Sequence, residues 1–220
     1  MVRSVRIVGA SGRVGSAVAA RLRERHVDVR EEGAELCLLC VPDRAIAEVA
    51  ASIEPGPWVA HVSGATPVAA LAPHARRFCV HPLQTIVHGR GPEQLDGAYA
   101  AVTGELPEAL EIGFQLAWLL GLEPFVLADA DKPLYHAAAA FASGYLVKLH
   151  RIAASLFEQV GAPPRGLVPL MARTIENNFE LTGPAARGDW ATVEAHLRAL
   201  EERRPELVQV YRALAEATPA

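Results

Sequence analysis

Apolar and polar positions along the chain fall into two regimes. Up to about residue 128, short apolar runs alternate with stretches of helical periodicity. Val5–Val8 is an apolar run ending at Gly9, and Val14–Arg25 has an apolar stripe at helical spacing. Glu35–Val41 and Trp58–Val62 read as further strands, stopped by Val41-Pro42-Asp43 and Ser63-Gly64. Asp43 is placed to cap a helix through Ala51. Phe78–Val80 leads into His81-Pro82-Leu83-Gln84-Thr85, and Tyr99–Thr103 and Pro124–Leu127 flank a helix from about Pro107 to Leu120. Continuous apolar strands between helices predict a mostly parallel sheet covered on both faces.

Beyond Asp129 the pattern is helical only. Asp131 stands where a cap belongs, and Pro133 falls in a first turn, where its missing N–H is harmless. The periodicity runs on to about Val160, where Gly161 and two prolines end it. Helices over about Pro164–Leu181, Asp189–Arg203 and Pro205–Ala217 follow, Asp189 serving most simply as an N-cap. The reading is an α/β chain in two parts: a Rossmann-like domain over 1–128 and an all-helical domain over 129–220.

With 220 residues, 51% hydrophobic and 21% charged, the chain can bury a full core without disulfides or metals. A net charge of −4 argues against a nucleic-acid footprint, and no segment reads as a signal or spanning helix. Three cysteines without a signal segment predict reduced thiols in a cytoplasm. Cys37 and Cys40 form a CxxC, but on a strand they face opposite sides and read as buried small side chains. Eight histidines show no metal-ligand spacing, so no metal is expected.

The chemistry concentrates first in Gly9-Ala10-Ser11-Gly12-Arg13-Val14-Gly15, between a predicted strand and a predicted helix. Glycines there allow a sharp turn and a close approach of backbone N–H groups to a pyrophosphate. The spacing, GxxGxxG, is one residue longer than the usual dinucleotide fingerprint. An acid that holds the adenosine ribose is expected about 20 residues on. Asp28 would favour NAD and Arg30, by meeting a 2′-phosphate, NADP; the balance tilts to NADP. Yet only a few residues separate this stretch from the next strand at Glu35, and a parallel crossover needs a dozen or more. Either Val27–Val29 is not a parallel strand, or the usual helix and strand after it are deleted. Both remove much of the adenosine pocket.

The strings VGASGRVG, LLCVPDRAI, HVSGA, HPLQT, LYHAAAAFASGYL and LTGPAARGD together resemble Rossmann-like oxidoreductases carrying a C-terminal helical domain of unknown function (DUF2520-type). More distantly the chain is similar to ketopantoate reductase, pyrroline-5-carboxylate reductase and prephenate dehydrogenase. The resemblance implies a helical domain like the C-terminal domain of 6-phosphogluconate dehydrogenase, and NADP or NAD as cofactor. It also implies a small oxo acid or imine as substrate and a homodimer formed through the helices; the reading favoured here is reduction of a small oxo acid in a cleft between the two domains.

Ligands of open α/β sheets sit beyond the carboxyl ends of the strands. There Val41 and Pro42 would lie against the nicotinamide. Ser63 and His81 look like the Ser and His of prephenate dehydrogenase, His81 as acid/base near neutral pKa and Ser63 as an orienting donor. Lys132, His136 and Ser143 share one helical face; Lys132 would bind a carboxylate or protonate an oxyanion. Arg187 would clamp a carboxylate or brace its own loop. Each polar residue also has a purely structural reading: a turn hydroxyl for Ser63, a core histidine for His136, a solvated first-turn lysine for Lys132. Two other functions stay open: a non-catalytic ligand-binding or interaction protein that has lost the adenosine pocket, and a prephenate-like dehydrogenase.

Overall fold

The computed structural model describes residues 2–217. The chain divides into two compact units, Met1–Lys148 and Leu149–Ala220.

The first unit is built on a seven-stranded sheet: β1 (Ser4–Val8), β2 (Asp28–Val29), β3 (Leu36–Leu39), β4 (Trp58–His61), β5 (Arg77–Pro82), β6 (Tyr99–Gly104) and β7 (Glu123–Val126). Their order is β2-β1-β3-β4-β5-β6-β7, and only the β5–β6 pair is antiparallel. The strands alternate faces as their apolar runs require. Val5, Ile7, Leu36 and Leu38 join α1 (Arg13–Glu24) and α3 (Pro107–Leu119) in one core. Cys37, Leu39 and Val59 join Ile46 and Ala50 of α2 (Ile46–Ala51) in another. Burial of the thiols follows: desolvation raises the Cys37 pKa and pushes Cys40 up to about 12, so both stay protonated and inert.

The sheet settles the question raised by Arg30. β2 is parallel to β1, with Ser4 level with Asp28 and Val5 with Val29. It is two residues long, so the chain never climbs the sheet and has no descent to make. From Arg30 it crosses the amino end of β1, where the Glu35 N–H donates to Ser4 Oγ (3.1 Å) and the Arg3 N–H to Glu35 Oε2 (2.9 Å). It then enters β3 on the far side of β1. The usual helix and strand after β2 are missing.

Two expected caps differ. Asp43 opens a short 3-10 turn (Asp43–Ala45) and Asp131 precedes α4, but neither side chain caps a backbone N–H. The long helix is α4 (Lys132–Ala140), a π-helical turn over Phe141–Tyr145, and α5 (Leu146–Gln159). The second unit adds α6 (Leu167–Glu176), α7 (Trp190–Arg203) and α8 (Val208–Glu216). Asp189 caps α7 as expected, accepting from the Thr192 N–H at 3.1 Å. No described helix is long and apolar enough to cross a membrane.

Candidate active site

The glycine turn joins β1 to α1. Gly9 has φ +90, a conformation open to glycine, and a Cβ there would run into the Cys40 carbonyl. A Cβ at Gly15 would collide with the Gly9 carbonyl. These two glycines therefore let the turn close against the end of β3 and let α1 start on top of it. Gly12 is the N-cap, extended and without a side-chain cap; its N–H donates to Gly9 O at 3.0 Å. Ahead of it, the first-turn N–H groups of Arg13, Val14 and Gly15 find no acceptor among the described residues. Ser11 and Arg13 are exposed, and the Val41 side chain approaches Gly9 from just beyond β3.

This cradle fits a pyrophosphate, which needs free N–H groups at a helix start. The adenosine side is thinner. Asp28 and Arg30 are bonded to each other at 2.7 Å on the edge strand, so the acid and the base expected to choose the nucleotide share one ion pair. The wall that a third strand would add beyond β2 is missing.

At the carboxyl end of β5, beside α4, lies a groove of about 830 Å³ within the first unit. His81, Tyr135, His136 and Ser143 line it, with Gln84, Thr85 and a run of alanines. His81 Nδ1 and Tyr135 Oη are 2.8 Å apart, and the His81 and His136 rings are 6.2 Å apart centre to centre. The ring of His81 lies against Gly64: a Cβ there would stand 2.7 Å from His81 Cε1 and 2.8 Å from Nε2. Glycine at 64 is what lets the loop after β4 lie against the imidazole that β5 carries.

Two expectations fail here. The near-neutral His81 is not found: burial, then the nearby His136 and Lys132 charges, push its pKa down to about 4, so it is neutral at pH 7. Lys132 is buried and does not line the groove. It is 1% exposed, donates to Thr66 O at 2.7 Å and pairs with Asp129 at 3.0 Å. Asp129 in turn accepts from the Val68 N–H at 2.8 Å. Lys132 and His136 do lie one turn apart on α4, but the 63–68 loop covers the lower position and leaves the upper one in the groove.

Ser63 takes its structural reading. Its hydroxyl accepts from the Ala65 and Thr66 N–H groups (3.2 and 3.0 Å) and lies 2.9 Å from Thr66 Oγ1, leaving no donor for a substrate. Arg187, in the second unit, donates to the Thr182 carbonyl and so braces its own loop.

Two groups escaped the sequence reading. Tyr135 sits one residue before His136 and is aimed by Phe125 (6.0 Å between ring centres) as well as by His81. Its partner lies 54 positions away, so no local spacing announces it. Burial pushes the hydroxyl up to about 12, which keeps its proton on. His61, fully buried at the end of β4, accepts from the Ser63 N–H at 3.1 Å. Its Nε2 lies towards the Pro67 carbonyl without a well-formed hydrogen bond, and burial lowers its pKa to about 3.

These two histidines make stability depend on pH. Unfolded, both would take up a proton near 6.5; folded, only at about 4 and about 3. Their contribution is full above pH 6.5 and is lost progressively as pH falls through the folded values. The melting temperature should therefore drop between about pH 7 and 5, before carboxylates titrate, and H61Q should flatten that slope. A melting temperature constant across that window would contradict the assignment.

A mostly parallel sheet, a glycine turn at the end of its first strand and a helical continuation define a Rossmann-like protein. A family model described as a Rossmann-like domain matches residues 26–88. The chain belongs to the family described as a domain of unknown function (DUF2520), whose model matches residues 98–218. No curated protein matches the sequence. Among solved structures, one from Bacteroides fragilis, provisionally assigned as an NADP oxidoreductase, is similar at 20% identity and a TM-score of 0.82, over 98% of this chain and 97% of its own. A Thermotoga maritima protein is 23% identical at a TM-score of 0.73, over 97% and 98% of the two chains. The 1-pyrroline-5-carboxylate reductase of Streptococcus pyogenes is 14% identical at 0.62, over 97% and 95%. At these identities the likeness is one of fold.

Proposed function

We propose that this protein is an NAD(P)-dependent oxidoreductase that reduces a small oxo compound, with His81 and Tyr135 at the reacting oxygen. The observation that carries this reading is the hydrogen-bonded His81–Tyr135 pair in a groove at the carboxyl end of the same sheet whose β1–α1 turn offers a pyrophosphate cradle. The fold shared with a pyrroline-5-carboxylate reductase and a provisionally assigned NADP oxidoreductase supports it.

The N–H groups of Arg13, Val14 and Gly15 would hold the pyrophosphate, Ser11 its outer oxygens, Val41 and Pro42 the nicotinamide side, and Arg30, once released from Asp28, a 2′-phosphate. The nucleotide supplies hydride. The chain supplies the proton: neutral His81 gives the Nε2 hydrogen to the oxygen formed, while the Tyr135 hydroxyl hydrogen moves to Nδ1. That relay needs no imidazolium, which suits a histidine neutral at pH 7. The tyrosinate left behind takes that hydrogen back from Nδ1 as Nε2 recovers a proton from solvent, which restores the starting tautomer. His136 and Ser143 border the substrate.

A small oxo acid, as for ketopantoate reductase, remains one substrate class. It would need its carboxylate held by a group other than buried Lys132. A prephenate-like dehydrogenase would run the same relay in reverse.

Isothermal titration with NADPH and NADH tests the nucleotide step, and nucleotide consumption with a panel of ketones and 2-oxo acids tests the rest. Micromolar NADPH binding with turnover is expected. No heat with either nucleotide at millimolar concentration would favour the non-catalytic alternative, a fold kept as a ligand-binding module.

The protein is also proposed to work as a homodimer through its helices, in a reducing cytoplasm. Its three cysteines are free, and α6 leaves Val168, Leu170 and Ile175 more than half exposed, apolar surface that water disfavours. Light scattering should give about twice the 23.5 kDa chain mass. The monomer mass in dilute solution would contradict the dimer.

A further inference from the structure

The groove beside His81 has a polar head and apolar walls. The head is the His81–Tyr135 pair, closed by a 2.8 Å hydrogen bond. The walls come from the long helix: Ala139 and Ala142 from its narrow middle, Leu146 and Val147 beyond the π turn. Leu146 and Val147 are 40% and 49% exposed, so apolar surface is left facing the groove.

The charge that an acid substrate needs lies elsewhere. The lysine of this helix is turned under the 63–68 loop, 1% exposed, with its ammonium held by Thr66 O and Asp129. A carboxylate entering the groove would lose water and find the polar groups of Gln84, Thr85, His136 and Ser143 among apolar walls, but no lysine or arginine, and a desolvated carboxylate without such a cation is costly. A carbonyl oxygen needs one donor, and the pair supplies one. The alanines narrow the helix and widen the groove, so the space suits a body larger than a two-carbon acid; pockets of roughly 300–1,000 Å³ hold drug-sized ligands.

We infer that the groove takes an uncharged ketone or aldehyde with an apolar ring or chain, in preference to a 2-oxo acid. The inference rests on the reductase reading above and gives it a substrate class. In the step, the carbonyl carbon gains hydride from the reduced nicotinamide, the C=O π pair moves to oxygen, and oxygen takes the proton relayed through His81 from Tyr135. The ketone becomes a secondary alcohol and the nicotinamide is oxidised.

Matched substrates test this on the full chain. Acetophenone against phenylglyoxylate, and cyclohexyl methyl ketone against cyclohexylglyoxylate, each exchange a methyl for a carboxylate on one skeleton. With NADPH, kcat/KM for each ketone should exceed that of its acid at least tenfold. Saturation-transfer NMR of the same four compounds gives a readout without turnover. Ketone signals should appear with the unmodified protein and vanish in A139W, whose indole fills the groove. In A139R a new cation should narrow the preference or invert it.

Equal or faster turnover of the acids overturns the substrate class and leaves the reductase reading standing. Binding of ketones that A139W displaces, with no NADPH consumption, supports the class and overturns the reductase reading. Binding of neither partner of each pair overturns the groove as the site.

Discussion

Replacing His81 with glutamine is expected to lower kcat/KM for carbonyl reduction by about 10²–10⁴-fold, the usual contribution of a positioned proton donor. Glutamine keeps an N–H donor near the same place but cannot relay a proton from one side to the other. The melting temperature should move little, because the imidazole's one direct bond is to Tyr135 Oη. Y135F should cost less, since His81 keeps its Nε2 hydrogen while losing the group that fixes its tautomer and refills Nδ1. The pH profile separates this relay from ordinary imidazolium catalysis. With His81 titrating at about 4, kcat/KM should stay flat from about pH 8 down to 5 and fall only below that, as the imidazole takes its second proton. A bend near 6.5, the ordinary value, would remove the relay, and full turnover by H81Q would remove His81 from the reaction.

K132M should destabilise the protein by about 3 kcal/mol, because it leaves Asp129 facing a buried site without its cation. For a chain of this size that is roughly a 6–12 °C fall in melting temperature. The lysine ties three things together: the Thr66 carbonyl, Asp129, and through Asp129 the Val68 N–H. Loosening this loop also frees Gly64, against which the His81 ring lies, so activity should fall together with stability. D129N in the K132M background should restore part of the melting temperature, since it removes the orphaned charge. A K132M protein with unchanged melting temperature and a raised KM would instead make Lys132 a substrate contact.

The fold was largely legible along the chain. Runs such as Glu35–Val41 and Trp58–Val62 are apolar on both faces because parallel strands are covered twice, and both became central strands. The glycine turn was legible because its demands are local: a left-handed φ at Gly9 and a close helix start at Gly15 exclude side chains wherever the turn is folded. The shortened stretch after Arg30 was legible as arithmetic on chain length. Its resolution was not, because only the pairing of Asp28 with Ser4 shows that a strand of two residues needs no return crossover.

The geometry of the candidate site was legible by half. His81 and His136 were found from a strand end and a helix stripe, and they share the groove. Ser63 and Lys132 were picked by the same logic, and their polar groups are bonded within the 63–68 loop instead. A hydroxyl after a strand and a lysine in a first helical turn look alike in sequence whether they meet a ligand or a neighbouring loop. Tyr135 was passed over because helical spacing selected the residue beside it.

Local rules, periodicity and backbone sterics, act over a few residues, and so the amino-acid order alone set the strands, the helices and the dinucleotide-type turn. Which side chains meet water, protein or an open groove depends on elements brought together from far along the chain. Packing of α4 against the loops after β4 and β5 buried Lys132, lowered the His81 pKa and joined it to Tyr135. Desolvation and partner choice are properties of that three-dimensional neighbourhood, and no one-dimensional pattern carries them.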